Sequence, residues 1–94
     1  SMAHLNKVAA IVVFDRDGQT TTEISCRRPD VPIIAVCSSE TIANQLCLSR
    51  GVCAIYDAEL FAMRDAFSGA RAFGITYGEL VIVDDRKISL RTLV

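Results

Sequence analysis

The sequence has no surplus of charge of either sign: 10 Lys and Arg stand against 11 Asp and Glu in 94 residues. Without a basic excess it has no electrostatic hold on nucleic acid or on an anionic membrane surface. It also lacks any apolar run near the roughly 18 residues that a membrane-spanning helix needs. Five glycines and two prolines are too few for a fibrous or low-complexity chain. No Cys-x-x-Cys pair occurs among the four cysteines, and the one histidine, His4, stands near the N-terminus. A metal site of the zinc type is therefore not expected. The N-terminus has no apolar core followed by small cleavage residues, so a cytoplasmic chain is expected. Ser1 and Met2 read as a tag remnant and a start methionine, which leaves one domain over residues 3–94.

What is present is a 51% hydrophobic chain, enough for one small α/β core with little stability to spare. A chain of this length buries only about 60–65% of its unfolded surface. It also has little room for a scaffold plus a substrate cleft, which weighs against an independent enzyme. Cys26, Cys37, Cys47 and Cys53 sit inside apolar stretches such as Ile33 to Cys37 and read as reduced core residues rather than a disulfide framework.

Val8 to Phe14 is a continuous β-branched run, as expected of a strand buried on both faces in a parallel sheet. Thr20-Thr21-Thr22-Glu23 offers capping hydroxyls to a short helix reaching about Arg28. Pro29 and Pro32 bracket the turn into a second strand, Ile33 to Cys37. A helix begins near Ser38-Ser39-Glu40, with Ile42, Ala43, Leu46 and Cys47 as its apolar stripe and Gly51 as its C-cap. Val52 to Tyr56 is a third strand. The longest helix is predicted over 58–73, with Leu60, Met63, Phe67 and Ala70 inward and Arg64, Asp65 and Arg71 outward. Glu79 to Asp84 is a fourth strand. The turn Asp85-Arg86-Lys87 leads to a fifth, Ile88 to Val94.

This alternation predicts a three-layer α/β sandwich with a mostly parallel five-stranded sheet. Right-handed crossovers give the order 3-2-1-4-5, with the fifth strand antiparallel because its connection is too short for a crossover. The chain direction reverses between strands 1 and 4, so a ligand site is expected at Asp15–Thr22 and Asp84–Lys87.

The first loop admits two chemistries. A strand followed by D-x-D-G resembles the opening of haloacid dehalogenase-type phosphatases. There Asp15 would attack phosphorus, Asp17 would serve as acid/base, and Asp84-Asp85 would resemble a magnesium pair. Gln19 stands where that family has Thr, and no lysine is suitably placed between Ser38 and Asp84. The other reading is a phosphate cradle: Gly18 for close approach, Thr20–Thr22 at a helix start, and Arg16, Arg86 and Lys87 as counter-charges. A stand-alone ligand-binding or interaction domain remains a third possibility.

The segment between the loops is more specific. Arg28-Pro29-Asp30-Val31-Pro32-Ile33-Ile34-Ala35-Val36 resembles the R-P-x-x-P-I-I-A-V signature of the pyruvate kinase C-terminal domain. Thr41 to Leu46 with Arg50-Gly51-Val52 is similar to that domain's T-A-x-x-L…x-G-V stretch, and Gly78 to Val83 resembles its G-D-x-V-V-I-V strand. The likeness runs in order from residue 8 to about 84. It implies the same sheet and a regulatory and oligomerisation role, with domains meeting across a two-fold axis in a tetramer. A small phosphorylated effector is the implied ligand. The catalytic barrel, with magnesium, potassium and the nucleotide, would lie elsewhere, so no catalytic residue and no cofactor is expected here. The resemblance places a degenerate effector site at Arg16, Gly18, Gln19, Thr20, Arg86 and Lys87.

Three departures bear on that site. The family's effector loop reads T-K-S/T-G-x-S/T, whereas Asp15 and Asp17 occupy the two hydroxyl positions before Gly18. The long Gly-rich loop between the last two strands has shrunk to a turn. The leading helix is missing or reduced to His4–Lys7. Weak or absent sugar-phosphate binding is therefore expected, because two carboxylates repel a phosphate and lost donors leave it unmatched.

Overall fold

In the computed structural model, residues 8–27 and 29–94 are described. Arg28 of the proline-flanked motif and the expected helix remnant at His4–Lys7 lie outside the described residues. Nine elements follow in order: β1 (Val8–Asp15), α1 (Gln19–Cys26), β2 (Ile33–Cys37), α2 (Glu40–Leu46), β3 (Val52–Tyr56), α3 (Ala58–Met63), α4 (Ala66–Arg71), β4 (Gly78–Asp84) and β5 (Lys87–Leu93).

The sheet order is β3-β2-β1-β4-β5. β1 runs parallel to β2 and β4, β2 parallel to β3, and β5 antiparallel to β4. That agrees with the topology deduced from connection lengths. All five residues of β2 are buried, as a strand covered by helices on both faces requires. One face packs Val12, Phe14, Ile34, Val36 and Leu80 with Phe61, Ala66 and Ala70 of α3 and α4. The other packs Val13, Ile33, Ala35 and Cys37 with Ala43 and Leu46 of α2.

Where β1 meets β4 the pairing slips between Val8 and Ala10. Gly78 lies at this slip with φ 113°, and a Cβ built on it would stand 2.9 Å from the Cβ of Ala9. Only a residue without a side chain fits there.

Several expected details differ. The helix expected over 58–73 is broken in two, because Arg64 takes a left-handed backbone (φ 53°) and closes α3, while Asp65 opens α4. The break turns Met63 outward, 68% exposed, and buries Phe61 instead. The helix expected to start at Thr20 starts at Gln19, behind Gly18, whose position offers no side chain to cap it. α2 ends at Leu46 with Cys47 as its cap, so Gly51 serves the turn into β3 and not the helix end. Of the four cysteines only Cys37 is buried; Cys53 is half-buried, and Cys26 and Cys47 are exposed.

Asp65 shows how firmly the break is built. Its Oδ1 accepts from the Ser68 amide at 3.1 Å and its Oδ2 from the Ser68 hydroxyl at 2.7 Å. These two bonds hold its carboxyl below the ordinary value of 3.8. Asp65→Ala is expected to lose about 1 kcal/mol at neutral pH, as a lost N-cap does. The folded-state value is depressed, so the stabilisation is present above the unfolded value and fades as pH falls through the folded one. Urea denaturation of both proteins should therefore show a gap at pH 7 that narrows in acid. A gap unchanged by acid would contradict the cap.

Candidate functional site

The carboxyl ends of β1 and β4 open onto a cleft of about 590 Å³, at the switch point where the topology places a ligand. The end of β1, the loop after it and the start of α1 contribute Asp15, Arg16, Asp17, Gln19, Thr20 and Glu23; the β4–β5 hairpin contributes Asp84, Asp85 and Arg86. Phe61 and Arg64 reach in from α3.

Four of the six residues expected to hold an effector, Arg16, Gln19, Thr20 and Arg86, do meet at this cleft. Two do not. Gly18 is buried, and a Cβ on it would lie 3.3 Å from the Ile42 methyl, so its bare side faces α2 rather than a ligand. Lys87 lines a neighbouring hollow on the β5 side, with Arg64, Asp84 and Arg91. The β4–β5 connection is only Asp85 and Arg86, because Lys87 already pairs with Asp84.

The two loop carboxylates behave differently. Asp15 is 3% exposed. Its Oδ1 accepts from the Gly18 amide at 3.0 Å, and its Oδ2 from the Thr21 amide at 2.9 Å and the Thr21 hydroxyl at 2.6 Å. Asp17 is exposed and, among the described residues, accepts only from the Gln19 amide, at 2.9 Å. The threonine hydroxyls expected to cap α1 are thus spent otherwise. Thr21 donates to Asp15, and Thr22 donates back to the Gly18 carbonyl at 2.7 Å.

A nucleophilic Asp15 does not fit this geometry. Attack on phosphorus needs a carboxylate oxygen open to the substrate, and both oxygens here are engaged within the loop. Asp84 is no freer, since its Oδ1 lies 3.0 Å from Arg64 Nε. Among the described residues no group of three or more His, Cys, Asp or Glu side chains is arranged to hold a metal ion. Burial and then the Asp15 and Cys47 charges push the nearby Cys37 thiol up to about 11, which keeps it from being an activated thiolate.

Arg64 and Phe61 form the part of the cleft that sequence reasoning missed. The Arg64 guanidinium lies 4.3 Å from the Phe61 ring centre and 5.7 Å from that of Phe14. It also donates to the Phe61 carbonyl. Arg16 approaches Phe61 too, at 5.7 Å, and Phe14 meets Phe61 edge-on with centres 6.3 Å apart. Stacking and the Asp84 pair together fix a residue that the helical pattern placed outward. The signal available in the sequence was the adjacent charged pair Arg64-Asp65 in the middle of the expected helix.

The charges in the cleft do not balance toward an anion. Five carboxylates (Asp15, Asp17, Glu23, Asp84 and Asp85) face three guanidiniums, Arg16, Arg64 and Arg86. One of the three is already paired.

The family model for the pyruvate kinase alpha/beta domain matches residues 1–86. Among the 275 solved chains that match is a pyruvate kinase from Cryptosporidium parvum. It superposes with a TM-score of 0.77 at 22% identity, over 98% of this chain and 20% of that one. That likeness shows the fold, and this chain spans a fifth of that protein's length. No curated protein sequence matches the chain.

Proposed function

The chain belongs to the pyruvate kinase alpha/beta domain family, and on that premise we propose that it is the regulatory and oligomerisation domain of a pyruvate kinase. Catalysis, the transfer of phosphate from phosphoenolpyruvate to ADP in glycolysis, is assigned to a barrel outside these residues. Magnesium and potassium go with the barrel, and the whole enzyme is placed in the cytoplasm. No helix among the described residues is long and apolar enough to cross a membrane.

Within this reading the cleft binds sugar phosphates weakly or not at all. The observation that supports it is the surplus of carboxylates there, with Arg64 committed to Asp84. A phosphate brought to that cleft meets like charge on both sides. The two-residue hairpin adds to this, because it offers no loop to close over a ligand.

Oligomerisation is assigned to β5, the sheet's edge beyond β4. Ile88 and Leu90 are 73% and 57% exposed on it, and an unblunted apolar edge favours pairing with another chain. If two copies pair antiparallel about Leu90, Arg91 comes opposite Ser89 and Lys87 opposite Leu93. No like charges then meet across the seam.

One sample tests both halves of the reading. Calorimetric titration with fructose 1,6-bisphosphate is expected to show no heat of binding, and sedimentation at high micromolar protein to show a dimer that Leu90→Glu dissolves. Micromolar sugar-phosphate affinity would refute the weak-effector claim. Monomer alone at that concentration would refute pairing through β5.

A further inference from the structure

We propose that Asp15 is a built-in anion: its carboxylate occupies the donors that open α1 and thereby excludes phosphorylated ligands from them. The inference rests on the reading above and names the residue that sets the selectivity of its cleft.

A glycine loop that runs into a helix leaves the first amides without partners in the chain, turned toward any anion nearby. In this loop three of those amides, of Gly18, Gln19 and Thr21, are already engaged. Asp15 receives the Gly18 amide, the Thr21 amide and the Thr21 hydroxyl. Asp17 receives the Gln19 amide lying between them. Asp15 is 3% and Thr21 0% exposed, so this is a packed contact and not a surface side chain folding back. The arrangement is also bidentate, with each carboxylate oxygen given its own amide, the geometry in which charge-assisted bonds are strongest.

Asp15 therefore selects by occupation as well as by repulsion. An incoming phosphate would have to displace a covalently tethered carboxylate that needs no translational entropy to stay bound. What is left to it are Gln19 and Thr20 on the cleft wall and Arg16 and Arg86, both exposed at the rim, where ion pairs contribute little.

The test is amide NMR of the whole chain titrated with inorganic phosphate, for the natural sequence and for Asp15→Ser. In the natural protein the Gly18 and Thr21 amide signals are expected to stay fixed in excess phosphate, and both amides to exchange slowly with solvent although they open a helix. In Asp15→Ser they are expected to shift on titration, with phosphate affinity raised about tenfold or more. Shifting or fast-exchanging Gly18 and Thr21 amides in the natural protein would overturn the inference. So would a folded Asp15→Ser with no gain in affinity. If that variant does not fold, the natural protein's two amides decide the matter alone. Sugar-phosphate binding that leaves those amides unmoved would refute the weak-effector reading and spare this inference. No phosphate binding by either protein would do the reverse.

Discussion

Asp15→Ala is expected to destabilise the domain by about 3 kcal/mol, lowering Tm by about 15 °C, the largest effect of any single loop substitution. The reason is local. The carboxylate receives two amides and a hydroxyl in a spot that is nearly closed to water. Removing it leaves all three donors unmatched at about 1 kcal/mol or more each. Asp17→Ala is the control, because Asp17 is exposed and receives one amide. It is expected to lose less than about 1 kcal/mol. Urea denaturation of the two variants beside the natural protein separates them. Equal losses would mean that Asp15 is no more structural than its exposed neighbour, and a phosphatase-like role for it would regain ground.

Gly78→Ala should be comparably damaging, for a different reason. At φ 113° a side chain is strained whatever the space around it, and the new methyl would stand 2.9 Å from the Ala9 methyl. Strain of about 1–3 kcal/mol and an overlap of similar size both apply. The expected total is about 2–5 kcal/mol. The two parts can be separated. Ala9→Gly placed in the Gly78→Ala protein removes the overlap but leaves the backbone strain, so it should restore only part of the loss. Full restoration would show that the backbone at Gly78 tolerates a side chain and that crowding alone selects glycine.

The fold was legible in the sequence wherever burial on both faces left a continuous apolar run. Val8–Phe14 and Ile33–Cys37 could hardly be anything else, and a connection as short as Asp85-Arg86 leaves β5 no choice but to run antiparallel. That topology alone puts a cleft at the ends of β1 and β4. What was hidden lies in contacts that no short pattern encodes. Asp15 takes its donors up to six residues ahead, so the threonines that read as caps for α1 turn out to serve a carboxylate upstream. Arg64 adopts a left-handed backbone that usually signals glycine or asparagine. Its anchor at Asp84 lies twenty residues further along. The helix break had one readable trace, Asp65 with Ser68 three positions on, a capping pattern that an unbroken apolar stripe outweighed. Cysteines mislead for a related reason: an apolar sequence neighbourhood does not say which side of a helix end a thiol occupies, and Cys47 falls just past the end of α2.

The central place of β1 has a consequence for how the chain reaches its fold. Its neighbours are β2, close by in sequence, and β4, where Ile11 sits beside Val81. Within this domain β1 is thus synthesised well before β4 and waits for it before both its edges are paired. Closing so long a loop is entropically slow, and sheets built on distant parallel pairings fold slowly as a class. Until β4 arrives, one edge of this apolar central strand is open to any passing extended chain. Refolding at high protein concentration should therefore be limited by aggregation through β1, and the hairpin of β4 and β5, which needs only local contacts, is the unit whose early formation shortens that exposure.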